Sequence, residues 1–120
     1  MDNKEFAKSL EKRTKQFAIN ILRLTSKLPN TPEGNVVRYQ LAKSGTSVGA
    51  NYREANRARS KADFKSKVSI SESESSESGF WLEIIDEMEW LSSDIVRPLL
   101  VESDELLAIF ASIGKKLKKN

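Results

Sequence analysis

Apolar residues recur along this chain at helical spacing, not at the alternation of strands. Phe6, Leu10, Phe17, Ile21, Leu24 and Leu28 mark one face of a first helix, expected over 3–28. Arg13 interrupts that face. It reads as a snorkelling side chain at a bundle end, its stem lying on apolar surface, with a ligand contact as the other reading. Pro29 then stops the helix, Thr31 offers a cap, Pro32 suits a first helical position and Glu33 complements the N-terminal dipole. A second helix is expected over 32–57, with a lean inner face of Val37, Leu41, Ser44, Val48, Ala55 and either Asn51 or Tyr52.

A third helix is expected over 60–91. Ser60 followed three residues later by Asp63 approximates a capping box. Its middle, Ser69–Ser78, has the composition of a disordered linker. The period argues otherwise. Phe64, Val68, Ser71, Ser75, Ser78, Leu82 and Ile85 keep one stripe, so the serines face inward on a continuous helix. Gly45 and Gly49, one turn apart on the second helix, are expected to lie level with Ser73 and Ser69, small residue against small. Ser92, Ser93 and Asp94 break the chain before a fourth helix, expected over 94–118, with Pro98 tolerated only near its first turn. Its apolar residues are Leu99, Leu100, Leu106, Leu107, Ile109, Phe110, Ile113 and Leu117. Short connections between four long helices predict an all-α fold: one domain over 1–120, an up-and-down antiparallel four-helix bundle.

Composition narrows the chemistry. The chain has 120 residues with no Cys and no His. Disulfides, thiolate metal sites, the usual general base and the Glu-x-x-His di-metal motif are therefore excluded. The cluster Glu83, Asp86 and Glu87 has helical spacing suited to a hard cation, but reads as solvated carboxylates. Nothing supplies an activated nucleophile or a Gly-rich phosphate loop. No catalytic residue, metal or cofactor is expected, and the protein is expected not to be an enzyme. No apolar run approaches the ~20 residues of a membrane span. The first residues lack the apolar core of a signal peptide, so a cytoplasmic protein is the expectation.

Net charge is only +3, yet it is unevenly distributed. Residues 1–28 carry a net +4, residues 38–67 a net +6, residues 72–105 a net −10 and residues 115–119 a net +4. In an up-and-down bundle the start of the first helix, the turn between the second and third, and the end of the fourth share one pole. That pole is expected to be basic, with Lys4, Lys8, Lys12 and Arg13 from the first helix. The acids from Glu83 to Glu105 are expected at the other. Solubility and helix capping account for part of this layout. Phosphate binding is the sharper reading, since clustered Lys and Arg neutralise nucleic-acid backbones without reading sequence. The residues expected to contact phosphate are Arg53, Arg57, Arg59, Lys61 and Lys65, assisted by Lys115, Lys116, Lys118 and Lys119. Tyr52 is read chiefly as packing, with base stacking as the alternative. Phe80, Trp81 and Leu82 put apolar side chains on more than one side of the third helix. Phe80 and Trp81 therefore read either as a subunit interface or as a rim contact within one subunit.

The stretch from Leu41 to Phe64, LAKSGTSVGANYREANRARSKADF, followed by FWLEIIDE from Phe80, resembles the bacterial four-helix bundle proteins related to the product of the intervening sequence of 23S rRNA genes. The resemblance runs from about Phe6 to the C-terminal lysines. It implies a four-helix bundle and no settled activity. Relatives include the accessory protein of diversity-generating retroelements, a pentameric barrel that works with a reverse transcriptase and RNA. The resemblance thus implies a homo-oligomer, a pentamer, with structured RNA or DNA and a nucleic-acid enzyme as partners. One departure is the third helix, where the family usually carries Ala, Leu and Lys in place of the serines. A non-enzymatic binding module is the expected function, with a protein–protein scaffold as the alternative.

Overall fold

The computed structural model describes residues 1–118. Four helices run antiparallel in sequence: α1 Asn3–Thr25, α2 Pro32–Ala55, α3 Lys61–Glu87 and α4 Ser93–Lys118. They form an elongated up-and-down bundle, 46 × 26 × 21 Å. The caps have plain chemical causes. The Asp2 carboxylate accepts from the Glu5 amide (2.8 Å), Thr31 Oγ1 from Gly34 (3.0 Å) and Ser60 Oγ from Asp63 (3.0 Å), each satisfying a donor left over by the first turn. At the other end of α1, the Arg38 guanidinium donates to the carbonyls of Thr25 (3.1 Å) and Leu28 (2.6 Å), closing the α1–α2 corner.

α3 stops at Glu87, short of the expected 91. Glu89 takes φ 56°, the Glu89 amide donates to Asp86 O (3.1 Å) and the Trp90 amide to Ile85 O (3.3 Å). This is the Schellman arrangement, with Glu in the left-handed position usually given to Gly. Without that Gly the stop leaves no ordinary mark in the sequence. α4 begins at Ser93, so Pro98 is its sixth residue and lies beyond the first turn. Pro98 and Asp94, whose carbonyl loses its helical donor, are both exposed, so water can take the donor's place.

The core holds Phe17, Ile21, Leu41, Val48, Leu82, Ile85, Leu106 and Phe110, all 1% exposed or less. Ser71, Ser75 and Ser78 are buried with them on a continuous α3. Their hydroxyls find partners within α3 and across the seam to α2: Ser75 donates to Ser71 O (2.8 Å), Ser71 to Val48 O (2.8 Å), and Ser78 lies 2.8 Å from Glu74 O and 3.1 Å from the Ser44 hydroxyl. Among the described residues no buried side-chain polar atom lacks a partner, so the serine face carries no desolvation penalty of the unpaired kind.

Gly45 and Gly49 of α2 do not meet Ser73 and Ser69, which are exposed on α3. A Cβ on Gly45 would stand 2.7 Å from Ile21 Cγ2, and one on Gly49 2.9 Å from Thr14 Oγ1, so both face α1. The cause is geometric. The inner face of α2 is shared between two neighbours, and each glycine follows the residue facing α3 by about 100° of rotation. Ser44 and Val48 meet α3; Gly45 and Gly49 let α1 approach. The bundle is uneven around its ring. Consecutive helices pack along their lengths, whereas α1 and α4 meet over far fewer residues.

Candidate nucleic-acid interface

The fold brings the start of α1, the α2–α3 turn and the end of α4 to one pole. Lys65 shares the outer α3–α4 groove with Lys115 and Lys118, and Phe6 of α1 shares a cleft with Asn56, Phe64 and Lys116. Antiparallel macrodipoles largely cancel there, so the field of this pole comes from side chains. Not all of its cations are available. Arg53 lies 3.7 Å from Glu11, which also accepts from the Asn56 amide at 2.8 Å. Lys67 pairs with Glu54 at 3.2 Å. Among the described residues, Arg57, Arg59, Lys61, Lys65, Lys115 and Lys118 are exposed and make no ion pair. Lys116 is exposed in the same pole. Lys119 lies outside the described residues. The candidate cations divide into an α3–α4 group, Lys65, Lys115 and Lys118, and a turn group, Arg57, Arg59 and Lys61.

Arg13 belongs to neither. It is not at a bundle end but midway along α1, and its guanidinium donates to both carboxylate oxygens of Glu102 (2.7 Å each) and to Glu105 (2.7 Å). Hydrogen bonding to Glu102 holds it protonated above its ordinary range. Glu102 and Glu105 are therefore not part of the acidic pole. That pole also holds the capping Arg38 and Arg97, which lies 4.0 Å from Asp86, so the long-axis dipole is weaker than the sequence layout suggests.

Tyr52 is only 2% exposed and stacks edge-on against Phe110, ring centres 5.4 Å apart. Burial pushes its phenol above the usual range. It is a packing residue, unavailable to a base. Phe6, placed in the core by its spacing, is instead 42% exposed at the basic pole. Sequence reasoning missed it because a stripe residue at a helix end has no neighbour above it to bury it. Phe80 is 53% exposed and stands edge-on to half-buried Trp81 at 5.0 Å, while Trp81 Nε1 donates to Glu77 (3.3 Å). Among the described residues no three carboxylates are grouped to hold a metal ion, and no helix is long and apolar enough to cross a membrane.

No protein of curated function matches the chain. A solved structure from Bacteroides thetaiotaomicron, described as a protein of unknown function from the S23 ribosomal protein family, is 34% identical and superposes with a TM-score of 0.81. The match covers 88% of this chain and 97% of that one. The sequence profile of the 23S rRNA-intervening sequence proteins matches residues 9–112, from the second turn of α1 to the last turns of α4. With sequence profile and bundle architecture in agreement, the chain belongs to the 23S rRNA-intervening sequence protein family.

Proposed function

We propose that this protein is a non-enzymatic, homo-oligomeric binding module whose basic pole engages structured RNA or DNA beside a nucleic-acid enzyme such as a reverse transcriptase. The observation that carries this reading is the set of six exposed cations without ion pairs, Arg57, Arg59, Lys61, Lys65, Lys115 and Lys118, converging on one pole from the α2–α3 turn, α3 and α4. Charges kept only for solubility need not converge. Charges held unpaired at one end offer phosphates a site at little desolvation cost. Subunits arranged as a ring, with five as the number the family resemblance implies, would repeat the pole on one face and gain affinity by multivalency.

Binding of a structured RNA across a salt series, with native mass recorded on the same sample, tests both parts. The log–log slope should be about −0.9 for each phosphate contact on a duplex. Replacing Arg57, Arg59 and Lys61 together by Glu should weaken binding at least tenfold and flatten the slope; an unchanged affinity removes the site assignment. A scaffold reading is favoured by exposed Phe80 beside Trp81. It predicts no binding at ~50 mM salt, where phosphate contacts are strong, and an assembly that persists in high salt.

A further inference from the structure

A cleft of about 740 Å³ opens at the basic pole between the start of α1 and the end of α4. Its floor is apolar, formed by Phe64, Ile109 and Ile113, with Leu117 at one side. Phe6 forms a half-exposed aromatic wall, and the exposed polar groups of Asn56 and Ser112 stand at the rim. Lys116 is part of the wall, and the neighbouring grooves of the same pole carry Lys65 on one side and Arg57 on the other. The seam is open here because α1 and α4 pack sparsely.

An apolar floor, an aromatic face, hydrogen-bonding groups at the edge and a cationic surround form a combination with one natural complement. We infer that the cleft receives an unpaired nucleobase of a bound RNA, stacked on Phe6, while the cations around it hold the flanking phosphates. This rests on the nucleic-acid reading of the basic pole and sharpens it: the preferred ligand is a hairpin or bulged RNA with a base free to leave its stack, not a continuous duplex. A duplex presents phosphates to the same cations but keeps its bases paired. Only a loop or bulge supplies a flat apolar face to the cleft. The charge of the pole argues for this occupant over cleft-to-cleft pairing with a second copy, whose own cleft would bring Lys116 against like charge.

The test uses two RNAs with the same number of phosphates, a hairpin carrying 2-aminopurine in its loop and a blunt duplex, each titrated against the full chain and its Phe6→Ala and Phe6→Tyr variants. The hairpin should bind more tightly than the duplex, and its fluorophore should change emission on binding. Phe6→Ala should weaken hairpin binding on the order of tenfold, the size expected for loss of one stacked base. Duplex affinity and the salt slope should stay unchanged, and Phe6→Tyr should retain the preference. Equal binding of hairpin and duplex, insensitive to Phe6, overturns the base cleft and leaves the phosphate-binding pole standing. No binding of either RNA at ~50 mM salt overturns the pole itself. A smaller native mass for Phe6→Ala shows that a second copy covers the cleft, which also overturns the inference.

Discussion

Helix α1 has two neighbours and meets them by opposite means. Against α2 the contact is steric: Gly45 and Gly49 have no side chain, and Ile21 and Thr14 of α1 occupy the space a Cβ would take. Against α4 the central contact is electrostatic: Arg13 reaches two glutamates across a seam with little packing, at side-chain exposures of 36%, 26% and 56% for Arg13, Glu102 and Glu105. The first seam is specified by shape and tolerates no added volume. The second is specified by charge, remains hydrated and leaves grooves on either side of the bridge. The comparison shows where this bundle is fixed and where it is free to hold something else.

Filling the steric seam should have the largest effect. Gly45→Leu should destabilise the fold by about 3 kcal/mol, a fall on the order of 10 °C in Tm, because Ile21 presents branched carbons next to its own backbone and cannot swing aside. A double-mutant cycle with Ile21→Ala should show coupling, since the vacated space takes in part of the new side chain. An unchanged Tm for Gly45→Leu would mean α1 does not press on α2 there. Removing the charge bridge should cost less. Arg13→Ala is expected to lose about 1 kcal/mol at low ionic strength, and most of that difference should vanish in ~1 M salt. A salt-independent loss above about 3 kcal/mol would place this bridge with buried ion pairs and erase the contrast. The smallest effect has the opposite sign. A Cβ on Gly114 meets only Glu72 Oε1 at 3.7 Å, an ordinary contact, so Gly114→Ala should stabilise by roughly 0.5–1 kcal/mol through helix propensity. Denaturant midpoints of Gly114→Ala and Gly45→Ala side by side would show that helical glycines differ by neighbour, not by kind.

Much of this architecture could be read from spacing. The stripe through Val68, Ser71, Ser75, Ser78 and Leu82 was sufficient to place the serines inside, because period survives even where hydrophobicity does not. What spacing could not supply was which neighbour each inner residue would meet. The inner face of α2 spans two partners, and a turn of about 100° separates Ser44 from Gly45. The α3 stop was hidden because Glu89 occupies a conformation that no side-chain type announced. For the candidate interface, charge counts located the basic pole but not its internal pairing: Glu11 lies far in sequence from Arg53, and Glu54 meets Lys67 only because α2 and α3 fold back on each other. Tyr52 packs in the core as its position implied, whereas Phe6 escapes burial for a related reason. A periodic pattern treats all turns of a helix alike, but the last turn of a bundle has water on one side.

The sparse contact between α1 and α4 also bears on how the chain folds. Nearly all extensive packing joins helices adjacent in sequence, so each pair can form without first closing a loop across the whole molecule. Such local topology favours folding in the microsecond-to-millisecond range. The first and last helices would close on each other late in folding and part early in local opening. Amide exchange should therefore be fastest along their facing turns, well before the serine-lined centre of α3 gives up its protons.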